Sequence, residues 1–161
     1  LSEFDATKVL YHLAEAGYLE ASAQPREAEA RTPEARARAI AEGLGGIARD
    51  VAAAVEAAGA REPFQAALRA FLADAAGRYA FAWAGLAPGP DGAVDAAAVR
   101  ANVERAAGLP EGADRLRVLF DALHELVLFA LFQAGERLPR EADERLGREV
   151  KERFEALAEL R

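Results

Sequence analysis

The sequence predicts an all-α protein, a helical bundle of five to six helices with one central apolar helix. Apolar residues recur three and four positions apart through most of the 161-residue chain, which is the period of one face of an α-helix. Alanine, the residue with the highest helix propensity, makes up about a quarter of the chain. Proline and glycine mark most of the boundaries between the periodic segments. We therefore expect short loops joining amphipathic helices.

The domain organisation follows from one break in this pattern. Residues 1–20, LSEFDATKVLYHLAEAGYLE, predict an opening helix that Ser2 caps and Gly17 ends. Residues 21–31 contain a proline and no large apolar side chain, so they predict a linker. Residues 32–161 then form the helical bundle. The apolar face of the opening helix includes Phe4, Val9, Leu10 and Leu13.

The first helix of the bundle begins at Thr32 and Pro33, a favourable N-cap and first helical residue, and runs to Gly59. Its interior contains Gly43, Gly45 and Gly46, each costing up to about 1 kcal/mol relative to alanine. These glycines predict either a kink or the close approach of a neighbour. The buried face consists of Ile40, Leu44, Ile47, Val51 and Val55.

The middle of the bundle is predicted as two helices separated by an irregular region. One helix starts at Pro63 and fades near Gly77, and residues 78–86 then alternate aromatic and small side chains in an extended or irregular helical segment. Residues 87–94 form a turn because of their Pro-Gly-Pro-Asp-Gly content. Asp95 caps the next helix.

The longest apolar helix is predicted from Leu109-Pro110-Glu111 to Gly135. Residues 118–132 are apolar on nearly all sides, which predicts a central helix that its neighbours cover on most sides. Charged side chains interrupt this run before it reaches the length of a membrane span. The last helix starts at Pro139, and Glu149 and Arg153 are spaced for an ion pair on its exposed side.

Composition narrows the possible functions. The absence of cysteine excludes disulfides and thiol chemistry and is compatible with the cytoplasm, where we expect the protein to reside. The net charge of −7 disfavours binding to nucleic acid or to anionic membranes. No methionine is present, so we expect that Leu1 is not the natural start, and no signal-peptide pattern follows it.

No residue set in the sequence predicts catalysis, a metal or a cofactor. The only serines, Ser2 and Ser22, lack a histidine and acid arranged around them. Asp121 and His124 share the spacing of half a di-iron motif, but the chain has no second copy. The segments PDGAVD and GLGG lack the ligand pattern of a calcium loop and the lysine of a phosphate-binding loop.

A group of aromatic side chains admits two interpretations. At their spacing they belong either to the ordinary core or to the wall of a small-molecule cavity. The residues of this possible ligand cavity are Tyr79, Phe81, Trp83 and Phe120.

The opening stretch LSEFDATKVLYHLAEAGYLE resembles the C-terminal edge of PATAN-type domains, which occur in bacterial two-component and related signalling proteins and end in a winged-helix-like unit. The segments GPDGAVDAAAVRANVERA and LHELVLFALFQAGERLP resemble the helical extension that follows this unit in some such proteins. The resemblance implies a bacterial regulatory or scaffold protein, and it transfers no catalytic residues.

The expected function is a non-enzymatic protein–protein interaction or output module of a bacterial signalling protein, acting by helix docking. We expect an incomplete cover to leave an apolar stripe near the central helix or the opening helix, where it meets another protein or a second copy. Of these, the opening-helix residues Phe4, Val9, Leu10 and Leu13 are the predicted interaction surface. One alternative is part of a winged-helix transcription regulator, although the opening helix offers only Lys8 among several acidic residues. The other is a bundle that senses a small molecule.

Overall fold

A computed structural model describes residues 32–109, 114–158 and 160 of the chain. Within these residues the protein is all helical and contains no strand, which confirms the predicted fold class. The predicted opening helix and linker lie outside the described residues. The part of the chain that the structure describes contains six helices, α1 Pro33–Ala57, α2 Arg61–Ala73, α3 Ala80–Trp83, α4 Ala96–Arg105, α5 Arg115–Gly135 and α6 Arg140–Ala158.

The central helix of the bundle is α5. It packs most extensively along α1, and α2, α4 and α6 also contact it. Contacts divide the chain into two units, Leu1–Thr32 and Pro33–Arg161, and the six helices belong to the second. The predicted apolar face of α1 is fully buried, which confirms the helical period as the origin of this core. Its members are Ile40, Leu44, Ile47, Val51 and Val55.

Two of the glycines in α1 make room for neighbouring helices. A Cβ atom on Gly45 would lie 2.8 Å from the Cβ of Ala96, the first residue of α4. A Cβ atom on Gly43 would lie 2.5 Å from a methyl carbon of Leu157 in α6. Because α1 runs unbroken through both positions, close approach is the effect of these glycines that the structure displays.

The third glycine, Gly46, faces a charged contact between α1 and α6. A Cβ atom there would lie 2.9 Å from a guanidinium nitrogen of Arg153. Arg153 forms an ion pair with Asp50 of α1. The predicted local pair between Glu149 and Arg153 is therefore wrong, because the long guanidinium side chain reaches across to the neighbouring helix instead.

Aspartate side chains begin two of the helices. Asp95 accepts a hydrogen bond from the amide of Ala97 at 2.9 Å, which confirms it as the N-cap of α4. Asp114 accepts hydrogen bonds from the amides of Leu116 and Arg117 and caps α5. Helix α5 thus begins later than predicted, since its N-cap follows the expected Leu109-Pro110-Glu111 start.

A single arginine joins the end of α4 to the beginning of α5. The Arg115 guanidinium donates to the carbonyl oxygens of Val103, Glu104 and Ala106 at 2.7, 3.0 and 3.3 Å. The carbonyls at the C-terminal end of a helix lack the intrahelical donors of the interior, and here, among the described residues, only the Val103 carbonyl also accepts a backbone bond, from the amide of the C-cap residue Ala106. Arg115 therefore satisfies the C-terminal end of one helix from the first turn of the next.

The aromatic segment, which the sequence predicted as an extended or irregular helical segment, contains one helical turn, α3. The side-chain amide of Asn102 in α4 donates to the carbonyl oxygens of Ala82 and Ala84, both at 3.1 Å. These bonds fix the end of α3 against α4. Helix α2 begins at Arg61, so Pro63 lies in its first turn and not at its first residue.

Candidate interaction surface on α5

Helix α5 is more apolar than its burial requires. Among the residues that the structure describes, it is the one helix that meets the length and composition of a membrane span, a criterion that core helices of soluble proteins also meet. Only 44% of its most apolar stretch is buried in the bundle. The predicted cover around residues 118–132 is therefore incomplete.

Two large apolar side chains of α5 are open to solvent, and we call them the α5 ridge. Leu128 is 49% exposed and Phe132 is 64% exposed, and they are the exposed large apolar residues of the described chain. Their spacing of four residues places one above the other on a single helix face. The ridge is thus a continuous apolar strip and not two scattered side chains.

The ridge is continuous with the core on both sides. Phe129 is half-buried and stacks on Phe71 of α2, with ring centroids 4.4 Å apart and an interplanar angle of 19°. Leu131, on the opposite flank, is also half-buried and packs against the core. The base of the ridge is therefore rigid, which suits a docking surface.

Carboxylates lie at both ends of the ridge. Glu125 precedes Leu128 by one helical turn and forms no ion pair with any described residue. At the other end, a carboxylate oxygen of Asp143 in α6 lies 3.3 Å from the position that a Cβ on Gly135 would occupy. Asp143 likewise has no cationic partner among the described residues. Each end therefore has a carboxylate that is in no ion pair among the described residues, and at the Glu125 end a further cation, Arg78, lies beside Tyr79.

The other charges near the ridge cancel in pairs. Asp121 lies 3.8 Å from the guanidinium of Arg117, one turn away on the same helix. Glu136 lies 3.3 Å from the guanidinium of Arg137. Arg78 adds one positive charge near Glu125, so these seven charged side chains together carry one excess negative charge.

The residues of the predicted ligand cavity are mostly core residues. Tyr79 and Trp83 are 7% and 2% exposed, and the ring centroids of Tyr79 and Phe81 lie 6.4 Å apart in an edge arrangement. Trp83 also contacts Phe71, with centroids 5.7 Å apart. Phe120 is buried as well, and its ring stacks on that of His124. A cavity walled by these four residues stays a prediction.

The surroundings of Tyr79 make its hydroxyl hard to ionise. Burial raises the pKa of Tyr79 above its ordinary value of 10.0, and the negative charge of Asp121 raises it further. The Arg78 guanidinium lies 5.4 Å from the centre of the Tyr79 ring and acts in the opposite direction. Tyr79 therefore stays neutral at physiological pH.

His124 packs between two aromatic rings. The ring of Phe120 lies 5.8 Å from it in a stacked arrangement, and that of Phe154 lies 4.8 Å away, edge-on. Among the described residues, no group of three or more metal-binding side chains is close enough to hold an ion. His124 thus joins α5 to α6 by packing.

A surface cavity that the sequence did not suggest lies between the first turns of α1 and α5 and the end of α4. Its volume is about 590 Å³, and its wall includes Glu34, Arg100 and Glu104. The Nε atom of Arg100 is buried without a hydrogen bond and lies 3.5 Å from the Glu104 carboxylate. Oppositely charged groups line this cavity together, so its wall has no dominant charge.

The predicted interaction surface of Phe4, Val9, Leu10 and Leu13 lies outside the described residues, so it stays a prediction. The sequence predicted an apolar stripe left by an incomplete cover near the central helix or the opening helix, but it did not identify Leu128 and Phe132 as such a stripe. A signal was present, because Asp121 and Glu125 occupy the same helix face as the ridge. Charged residues at the start of a face indicate that the whole face is uncovered.

Comparison of the chain with protein-family models, curated proteins and solved structures finds no match. The fold and its surface define an all-α bundle whose central helix has one uncovered apolar strip. The likeness to PATAN-type proteins stays a prediction, and function is inferred from the surfaces of the molecule.

Proposed function

We propose that this chain is a non-enzymatic protein–protein interaction module that binds a partner helix on the α5 ridge. The observation that carries the proposal is the exposure of Leu128 and Phe132 on a helix whose other large apolar side chains are buried or half-buried. Exposed apolar strips with a polar rim are typical of binding surfaces. Apolar side chains spaced by four residues suit the docking of an amphipathic helix.

The ridge offers enough binding energy to act as an anchor. Full burial of a leucine or phenylalanine side chain contributes about 1.5–3 kcal/mol. Leu128 and Phe132 leave 49% and 64% of their surfaces exposed, so their complete burial would contribute together about 2–3 kcal/mol. Two such anchors inside a polar rim resemble the energetic centre of many protein interfaces.

The setting of this module is the output or interaction part of a bacterial signalling protein. The resemblance of the opening stretch to PATAN-type domains supports this setting. Phe4, Val9, Leu10 and Leu13 form a second proposed docking strip, on the opening helix. Two apolar strips on one chain suit a scaffold that joins partners by contact between helices.

The test replaces the ridge with polar side chains that favour helix. The variant Leu128→Gln/Phe132→Gln keeps helix propensity while removing the apolar strip. Its matched control is Ala66→Gln/Ala70→Gln, which places two glutamines four residues apart on the exposed face of α2. Both proteins are first checked for unaltered folding by circular dichroism.

Binding is measured by fluorescence anisotropy of labelled synthetic helices that have a leucine stripe and differ in their flanking charge, and self-association is measured by sedimentation. We expect the ridge variant to weaken association about 30-fold or more, the equivalent of about 2 kcal/mol, and the α2 control to leave it unchanged. Equal association by the wild type and the ridge variant would refute the proposal. So would a monomer that binds none of the helices.

A further inference from the structure

We infer that the occupant of the α5 ridge is a cationic amphipathic helix, with basic residues on both sides of its apolar stripe. This inference rests on the proposed docking function and specifies the chemistry of the partner. It depends on the two carboxylates at the ends of the ridge, Glu125 and Asp143, which form no ion pair among the described residues. The side chains between them, Leu128 and Phe132, are apolar.

The spacing of these carboxylates sets the spacing of the partner's basic residues. Glu125 lies one turn before the ridge, and Asp143 lies beside Gly135, just beyond it. Residues 125 and 135 are separated by about 15 Å along α5, at 1.5 Å per residue. A helix lying along the ridge would therefore carry basic side chains about ten residues apart.

The backbone at Gly135 leaves room for a basic group to reach Asp143. Gly135 has no side chain and is exposed, so a lysine or arginine of the partner can approach the carboxylate across it. Rim charges of this kind increase the association rate and select partners more than they add affinity. The apolar ridge supplies the affinity, and the carboxylates supply the selection.

The same charges disfavour a second copy of the chain as the occupant. A symmetric antiparallel pairing centred on the ridge would place Glu125 of one protomer opposite Gly135 of its partner. Asp143 lies beside Gly135, so the pairing would bring two carboxylates together at each end. Each protomer also carries a net charge of −7, which adds long-range repulsion. An anionic membrane would meet the same repulsion.

The test uses the full 161-residue chain and three synthetic helical peptides. Each peptide has about 18 residues, roughly 27 Å of helix, and the same central leucine stripe. The residues flanking the stripe are lysine in the first peptide, glutamine in the second and glutamate in the third. Affinity is measured by fluorescence anisotropy at ionic strengths of about 0.02 M and about 0.5 M, where screening is weak and strong respectively.

We expect the lysine peptide to bind about ten-fold more tightly than the glutamate peptide at low ionic strength, and this preference to shrink at high ionic strength. The variant Glu125→Gln/Asp143→Asn should remove most of the preference without preventing leucine-stripe binding. The control Glu42→Gln/Glu152→Gln neutralises two exposed carboxylates that form no ion pair among the described residues, and it should retain the preference.

The outcomes separate this inference from the proposed function. Equal binding of the three peptides, lost in Leu128→Gln/Phe132→Gln, would overturn the cationic partner but leave helix docking in place. Dimerisation that sedimentation detects in the wild type and not in the ridge variant would also overturn the cationic partner. It would leave helix docking in place and assign the ridge to a second copy of the chain. Ridge-dependent binding to phosphatidylserine vesicles, with no peptide bound, would overturn both. A monomer that binds neither peptides nor vesicles would also overturn both.

Discussion

Replacing Gly45 with alanine tests the close contact between α1 and α4. The new methyl group would lie 2.8 Å from the Cβ of Ala96, and both atoms are attached directly to helix backbone. Neither can rotate away, so the start of α4 must move. Overpacking of this kind costs about 1–3 kcal/mol, whereas alanine gains up to about 1 kcal/mol in helix propensity over glycine. We expect a net loss of stability of up to about 2 kcal/mol.

The matched control is the same substitution at Gly147. This residue is exposed within α6, and a Cβ atom there would meet nothing within 4 Å. Gly147→Ala should therefore stabilise the protein by about 0.5–1 kcal/mol. The chemical change is identical in the two variants, so the difference between their changes in unfolding free energy isolates the steric cost at the contact between α1 and α4.

Urea unfolding measures both variants. Trp83 is the sole tryptophan and is 2% exposed, so its fluorescence shifts on unfolding, and circular dichroism reports the loss of helix independently. If both substitutions stabilise the protein equally, the close approach of Ala96 to Gly45 is wrong. Restoring space with Ala96→Gly should rescue Gly45→Ala in a double-mutant cycle, and a coupling of zero would also contradict the contact.

Two further predictions concern single side chains. Because the pKa of Tyr79 is raised in the folded state, the folded protein retains this proton when the unfolded chain loses it near its ordinary pKa of 10.0. The free energy of unfolding should therefore fall as the pH rises above about 10. In Tyr79→Phe, urea titrations should show a smaller fall over the same pH range. An equal dependence of the unfolding free energy on pH in the wild type and the variant would contradict the prediction. Replacing Arg115 with methionine removes the guanidinium from the carbonyl oxygens of Val103, Glu104 and Ala106, of which the Val103 carbonyl keeps the Ala106 amide as donor. Hydrogen exchange should then accelerate in the last turn of α4, and stability should fall by about 1 kcal/mol; exchange at the wild-type rate would show that water replaces the guanidinium fully.

The sequence predicted those parts of the fold that depend on local periodicity and capping. The stripe from Ile40 to Val55 is buried because helical spacing alone places it on one face. Asp95 begins α4 because its side chain satisfies an amide only two residues away. Such features do not depend on the neighbouring helices, which is why they could be predicted from the sequence.

Features that depend on which neighbours are present could not be predicted in this way. The apolar run of α5 indicated a helix covered on most sides, but which side stays open depends on where its neighbours pack, and they leave Leu128 and Phe132 exposed. The partner of Arg153 is Asp50, about a hundred residues away in sequence, so no local spacing rule could identify it. The three α1 glycines predicted close packing, but the helices that use them were known only from the structure.

The single tryptophan gives the α5 ridge a built-in optical reporter. Trp83 contacts Phe71, and Phe71 stacks on Phe129, the half-buried residue beside Leu128. Two ring contacts thus connect the chain's one natural indole to the strip where a helix would bind. Occupancy of that strip can be followed in unlabelled protein, by emission that reports on the ring stack beneath it.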